Sequence, residues 1–427
     1  MDLYVHTVLV SSRSARRFTD GISIGVLTRL FHRDLVDEVI AETGRREARS
    51  RLLPARVVVY YVLALCLFFE DGYEEVMRKL VNGLGFLGSW RDGWHVPTTG
   101  AISQARQRLG EAPLKALFAQ VAMPLAVPGT KGSWFHGWRV MAVDGVVLDV
   151  PDTPANVAEF GKRPSGVAGV TAPFPQVRVL ALGECGTHAI VAAAIGGWQE
   201  YERDLVQQIL PDLEPRMLVL ADRGFYSYQL WAQAAATGAD LVWRMKSLVD
   251  LPVLQVLPDG SFRSELVPNR MKADFKRGKR SHIPDNARIP VRVIEYDITN
   301  RGEDVETFRL ITTIADHELA PAIELAALYH QRWEFELTLD EIETHQMPHS
   351  RILRSKSPEL VRQEIWALLL THYAARDFIR EAADDHDDGL DIDRISFTRS
   401  LNIIRRQVTN QAGFSPSTPP SSDHRND

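Results

Sequence analysis

Two apolar stretches of this chain end on an aspartate. "RVMAVDG" delivers Asp144 and "RMLVLADRG" delivers Asp222, each after aliphatic residues that read as a buried strand. Ligands of α/β sheets collect beyond strand ends, and a carboxylate there costs desolvation energy unless a cation or donors compensate it. A third acid lies far downstream. In "YHQRWEFELTLDEIE", Tyr329, Arg332 and Glu336 stand at i, i+3 and i+7 and so share one face of a helix. Each piece has a plain explanation alone: a turn-capping aspartate, a pair with a neighbour such as Arg223, or a solvated helix face.

Together the pieces describe one chemistry. Convergent carboxylates are what two-metal phosphoryl transfer needs, with two Mg²⁺ ions about 3.5–4 Å apart serving the attacking and leaving oxygens. Magnesium takes hard oxygen ligands and keeps waters, and Mn²⁺ can substitute for it. Asp144, Asp222 and Glu336 are therefore the candidate catalytic and metal-binding residues. Arg332 and Tyr329, one and two turns before Glu336, are candidate phosphate contacts together with Arg223, the arginines by bidentate hydrogen bonding.

The rest of the chain must position these groups. Its 427 residues exceed one ordinary core, and 45% hydrophobic with 24% charged residues is a globular composition. A net charge of −6 argues mildly against nucleic acid as a partner. The average hides "RMKADFKRGKR", with six basic residues against one acidic, and "EAADDHDDGLDID", with seven acidic and none basic. The basic run offers Lys272, Lys276, Arg277, Lys279 and Arg280 as DNA-backbone contacts, a solvated loop being the plainer reading. Only Cys66 and Cys185 occur, as expected of a reducing cytosol. His188 follows Cys185 at ligand-like spacing, but no second pair completes a structural zinc site. The 13-residue run "VVVYYVLALCLFF" is too short to span a bilayer and reads as a buried helix, so no membrane association is expected.

Periodicity divides the chain. Residues 1–24 are a weakly patterned tail, and 25–135 read as a helical N-terminal domain. Its helix pair in "PTTGAISQARQRLGEAPLKALFAQV" carries Arg106 and Arg108, either a DNA-reading element or core packing. Residues 136–246 and 314–380 alternate strands and helices as an α/β core, 247–313 read as a mostly β insertion, and 381–427 as an acidic segment with a polar, proline-rich tail. Trp243 and Phe308 are candidates for stacking on a flipped base, with core packing as the alternative. His345 and His349 have ligand spacing, yet Pro348 between them predicts a loop.

The stretches "LPARVVVYYVLALCLF", "TGAISQARQRLG", "VDGVVLDVPDTPANVAEFG", "LVLADRGFYS" and "YHQRWEFE" together resemble the DDE transposases of the insertion sequence 4 family, from about Leu53 to Arg380. The resemblance implies an RNase H-like catalytic core with a β insertion between the second aspartate and the glutamate. It selects Asp144 over Asp149 and Asp152 as the first acid, Asp222 as the second, and Glu336 within a Tyr-x2-Arg-x3-Glu-x6-Lys signature. It implies Mg²⁺-dependent cutting at terminal inverted repeats, often through a hairpin, and joining to target DNA. A homodimer at synapsis and a bacterial cytoplasmic, nucleoid-associated location are implied as well. The signature's lysine falls at Glu343, where a glutamate repels phosphate and forgoes a contact worth about 1–3 kcal/mol. That departure raises a second expectation: a catalytically impaired relative that binds element ends or inhibits active copies.

Overall fold

A computed structural model describes residues 26–49, 53–85, 96–165, 170–246, 249–279, 281–299, 305–347, 352–384 and 391–409. The N-terminal and C-terminal tails, Arg280, Pro348, His349 and part of the acidic run lie outside the described residues.

Among the described residues ten strands form one sheet. They are β1 (Trp134–Phe135), β2 (Trp138–Asp149), β3 (Gln176–Glu184), β4 (Ile190–Gly197), β5 (Met217–Ala221), β6 (Asp240–Met245), β7 (Gln255–Val256), β8 (Phe262–Leu266), β9 (Ile289–Thr299) and β10 (Val305–Thr312). The spatial order is β4-β3-β2-β5-β6-β10-β9-β8-β7, with β1 paired to β2. β2, β3 and β4 form an antiparallel meander, whereas β2, β5 and β6 run parallel. The parallel pairs require crossovers, and helices α8 (Glu202–Ile209) and α9 (Tyr228–Ala235) lie in those connections. The strands of the 247–313 stretch extend this sheet, because β10 pairs antiparallel with β6.

Two differences from the sequence reading bear on the site. The expected strand-glycine-strand over "WRVMAVDGVVLDVPD" is one continuous strand of twelve residues, so Asp144 lies inside β2 rather than at its end. Pairing with β3 across Gly145 carries the strand through. The basic run of 270–280, for which a DNA-backbone contact and a solvated loop are the two readings, lies mostly on helix α10 (Asn269–Lys276) between β8 and β9. Its residues include good helix formers, Met, Lys and Ala, with no proline or glycine before Gly278.

Among the described residues six helices precede the sheet: α1 (Val26–Leu30), α2 (Arg33–Glu42), α3 (Ala55–Leu67), α4 (Tyr73–Gly85), α5 (Thr99–Leu109) and α6 (Ala112–Val121). α3 is buried all round, as its uniformly apolar sequence requires, and no described helix is long and apolar enough to cross a membrane. α7 (Pro154–Phe160) follows β2, while α11 (Ala322–Tyr329), α12 (Arg332–Asp340), α13 (Pro358–Asp384) and α14 (Phe397–Thr409) follow β10. Two large apolar cores result among the described residues, beside a small one of Val267, Ile283 and Ala287. One covers the sheet face of Leu180, Val219, Leu241 and Trp243 with α8 and α9. The other joins α1–α6, α11–α14 and the opposite face, with Ala142, Leu218, Leu220 and Val242, into one continuous cluster.

Candidate active site

Strand register brings the first two acids together. Val143 is paired with Ala221 in the parallel β2–β5 ladder, so Asp144 on β2 and Asp222, the first residue beyond β5, come next on the two segments. Side chains alternate along a strand, and both aspartates share the parity of Ala142 and Leu220, which face the helices α11–α13. β5 ends at Ala221 because the chain turns there: the Phe225 amide donates to the Asp222 carbonyl at 3.0 Å, and Ser227 then caps α9 through the Leu230 amide.

The third acid arrives on α12. That helix buries Phe335, Thr338 and Leu339, at helical spacing, toward the sheet. Phe335 lies against Gly183 of β3, where a Cβ would fall inside the phenyl ring, so the glycine permits the close approach. The single stripe expected for Tyr329, Arg332 and Glu336 is divided between two helices. Tyr329 closes α11, Arg332 opens α12, and a turn at His330 and Gln331 separates them.

The side chains meet nonetheless. Arg332 Nη1 donates to Asp144 Oδ2 at 3.1 Å and lies 2.7 Å from Glu336 Oε1. Tyr329, only 3% exposed, donates its hydroxyl to Asp222 Oδ1 at 3.4 Å and leans toward the Ala221 carbonyl at 3.5 Å. Burial pushes the Asp144 carboxyl up to about 6, against the lowering effects of the Gly145 amide and the Arg332 guanidinium. Burial likewise raises the Tyr329 phenol well above its ordinary value.

Sequence reasoning missed Arg244. Its Nη1 lies 3.8 Å from Asp222 Oδ1, its guanidinium stacks 3.7 Å over the Phe308 ring, and it pairs with Glu306. The signal was present in "ADLVWRMK", where alternation puts Arg244 on the face of Val242 and thus on the side of both aspartates.

Other expectations need correction. Arg106 is not a DNA contact: it is wholly buried and donates to Gln363 Oε1 at 2.9 Å, the Tyr73 hydroxyl at 2.7 Å, the Ser355 hydroxyl at 2.9 Å and the Leu360 carbonyl at 3.3 Å. A guanidinium with this many internal partners locks α5 to α4 and α13. Trp243 is also unavailable for base stacking, being packed edge to face on Trp231 with ring centroids 5.3 Å apart. Phe308 is half-buried between Arg244 and Tyr296.

Arg108 is exposed on α5, 3.9 Å from Glu47. On α10, Lys272 donates to the Asp250 carbonyl at 2.7 Å and Lys276 pairs with the Asp250 carboxylate at 3.1 Å, while Arg277 and Lys279 are exposed beyond it. Arg223 is exposed beside Asp222 and lines a cleft of about 320 Å³ with Arg203, Lys246, Tyr228 and Asn269. Glu343 lies half-buried in a π-helical segment, Glu341–Gln346, rather than on the continuous α-helix assumed from spacing.

The acids fit a hard divalent cation in donor type, since each offers carboxylate oxygens alone. Among the described residues, however, the one set of three ligating groups whose atoms all lie within 4.8 Å of one another is His188, Glu334 and Asp393. Asp144, Asp222 and Glu336 are more widely set, with Arg332 acting as a counter-ion between Asp144 and Glu336.

Comparison with known proteins identifies the family. Residues 21–119 match the family described as insertion element 4 transposase N-terminal, and residues 136–373 match the transposase DDE domain. The chain is 29% identical over 403 residues to transposase InsG for insertion sequence element IS4 of Escherichia coli (strain K12), covering 90% of this chain and 82% of that protein. It is 24% identical over 237 residues to putative transposase InsZ of the same organism, covering 56% and 76%. The cryo-EM structure of a piggyBac transposase synaptic complex with hairpin DNA aligns over 90% of this chain and 80% of that one, at a TM-score of 0.46 and 10% identity. With more than half its length matched by the DDE domain and most of the preceding helices by the associated N-terminal family, the chain belongs to the DDE transposases of the insertion sequence 4 family.

Proposed function

We propose that Asp144, Asp222 and Glu336 are the catalytic metal ligands of this DNA transposase. Membership in the family makes the chain a divalent-metal-dependent enzyme of DNA cleavage and strand transfer. The observation that carries the residue assignment is the convergence just described: two aspartates each one residue past the last registered pair of β2 and β5, one bridged by Arg332 to Glu336, the other held by Tyr329. Two Mg²⁺ ions, replaceable by Mn²⁺, suit the all-oxygen donor set; when bound, they stabilise the attacking and leaving oxygens of phosphoryl transfer.

The chain's own residues do the remaining work. Arg332 is paired through Nη1 with Asp144 and Glu336 while its Nε is buried without a hydrogen-bond partner; turned toward the strand on the acids, its planar fork becomes a donor for a phosphate oxygen. Tyr329 fixes the Asp222 carboxylate and keeps water from that side. Arg244 supplies positive charge at Asp222, and the cleft of Arg203, Arg223 and Lys246 continues the phosphate path toward α10, whose Lys272, Lys276, Arg277 and Lys279 extend it.

The core is read as RNase H-like, supported by an antiparallel meander followed by two parallel strands in the order β4-β3-β2-β5-β6. Residues 136–246 with 314–380 form that core, 247–313 the β-rich insertion and 25–135 the DNA-binding helices, where Arg108 is the exposed candidate contact. Substrates are the terminal inverted repeats and target DNA, handled by a homodimer at the nucleoid in the cytoplasm.

Strand cleavage on a duplex carrying an element end, in Mg²⁺ or Mn²⁺, tests the assignment. Asp222→Ala should abolish nicking while leaving duplex binding intact. Cleavage by Asp222→Ala at the unmodified rate would remove Asp222 from the centre.

A further inference from the structure

The turn between β3 and β4 carries a second group of ionisable side chains that the transposase reaction leaves unused. His188 sits there with a left-handed backbone, φ 61°, and is 5% exposed. Its Nε2 is buried and has no hydrogen-bond partner. Two carboxylates from distant parts of the chain face that nitrogen: Glu334 Oε2 at 3.4 Å from the first turn of α12, and Asp393 Oδ1 at 3.7 Å from the turn Ile392–Arg394. As hydrogen bonds these separations are long, since N–H···O contacts run at about 2.7–3.2 Å. As edges of a coordination shell the first fits and the second is about 0.1 Å long, because ligands about 2.0–2.2 Å from a tetrahedral Zn²⁺ stand about 3.3–3.6 Å apart.

We propose that His188 Nε2, Glu334 and Asp393 form a binding site for one Zn²⁺-class divalent cation, separate from the acidic triad. One imidazole and two carboxylates are a borderline donor set suited to zinc, and their two negative charges neutralise the ion. The far side of the ring must adjust when the ion binds. Nδ1 lies 3.6 Å from Glu341 Oε1 and accepts a hydrogen bond from Arg376 Nη2. With Nε2 given to the cation the ring proton passes to Nδ1, so Arg376 Nη2 must leave that nitrogen and Nδ1–H turn to Glu341, the carboxylate–histidine–metal arrangement that orients an imidazole ligand. Arg376 remains on Glu341, which its Nε already contacts at 2.9 Å. The Glu334 and Asp393 side chains are 37% and 40% exposed, so the fourth position opens to water.

Such an ion fastens three elements at once: the β3–β4 turn, the start of α12 and the segment after α13. Glu334 precedes Glu336 by two residues on α12, so the cation anchors the helix that carries the third acid without touching the reacting centre. The same segment is held from its other end by Lys131 on Asp391. The site would therefore act as a staple that sets how firmly α12 is seated.

The test counts metal and does not depend on DNA cleavage. Full-length protein is stripped with EDTA, dialysed against Zn²⁺ alone and assayed for bound zinc by atomic emission, with thermal midpoints recorded beside it. The Asp144→Asn/Asp222→Asn double variant should keep one tight equivalent of zinc and its rise in thermal midpoint. Asp393→Asn, altered at a half-open position that leaves folding intact, should bind at least tenfold more weakly and lose the rise; His188→Gln should do the same. In a Co²⁺-loaded sample the visible ligand-field band should vanish in Asp393→Asn. Unchanged zinc binding by Asp393→Asn, loss of all tight zinc from the double variant, or no tight zinc in the unmodified chain would each overturn the site; the last would leave His188 an imidazolium held by carboxylates.

Discussion

The Tyr329 hydroxyl lies 3.4 Å from the Asp222 carboxylate, joining the last residue of α11 to the first residue beyond β5. A neighbour that donates to a metal-binding carboxylate fixes its orientation, and losing such a partner usually costs about 10–100-fold in metal affinity or activity. Tyr329→Phe keeps the ring and removes the hydroxyl. It should fold normally, cleave about 10–100-fold more slowly at low Mg²⁺ and recover partly at high Mg²⁺. A Mg²⁺ titration of cleavage, compared with that of the unmodified chain, checks this; an unshifted midpoint would detach Tyr329 from the centre.

Gly183 sets how closely α12 approaches β3. A methyl group at this position meets the Phe335 ring, which is itself fully buried, so the helix must shift or the ring must leave its place. Gly183→Ala should lose about 1–3 kcal/mol in urea unfolding and most of its cleavage, because Glu336 is the next residue after Phe335. Phe335→Leu in the same chain should restore part of both. Absence of any rescue would place the damage elsewhere.

Asp259 docks the start of α11 onto the insertion. Its carboxylate accepts from the Ser261 hydroxyl at 2.6 Å and the Ala322 amide at 2.9 Å, and pairs with the buried Arg292. Burial raises its proton affinity, but the hydrogen bonds from Ser261 and Ala322 and the charge of Arg292 prevail and hold it below the usual carboxylate range. A carboxyl with a lowered folded-state pKa contributes stability that is present above about pH 4, its unfolded value, and lost as pH falls through the folded value. Stability should thus decline below about pH 4 in the unmodified chain, and Asp259→Asn should flatten that part of the curve while lowering stability at pH 7. Urea midpoints across pH 3–7 for the two chains measure the difference.

Glu343 occupies the place of the family's lysine, half-buried in the π-helical segment that continues α12. Glu343→Lys exchanges repulsion for attraction toward a phosphate and should tighten binding of an element end by roughly tenfold, one close contact being worth about 1–3 kcal/mol. The salt dependence of binding should steepen by about one released counterion. Titrations at several salt concentrations read both; unchanged affinity and slope would show that no phosphate passes this position.

Much of the site could be read from residue types. The apolar runs ahead of Asp144 and Asp222, and the clustered acid, arginine and tyrosine near Glu336, marked the groups that meet. Spacing misjudged how they meet. A glycine after Asp144 suggested a strand end, yet pairing with β3 carries β2 onward, because strand ends are set by partners as well as by local composition. Helical spacing could not show the break at His330 or the π-turn at Glu341, where Arg376 and His372 hold the Glu341 carboxylate in the core. Charge misled at Arg106, since a buried guanidinium and a DNA-binding one look alike until their partners are known. The His188 group was invisible for the same reason: its members come from three separate stretches that only folding gathers.

One apolar cluster runs without interruption from α1–α6 into α13 and the acid-bearing side of the sheet. The helical half is consequently mortised into the catalytic half, not hung from it. A chain cut near residue 125 would expose a greasy wall rather than release a working nuclease. Any duplex touching α5 must accommodate itself to a spacing from the acids that folding has already fixed, so the bending falls to the DNA.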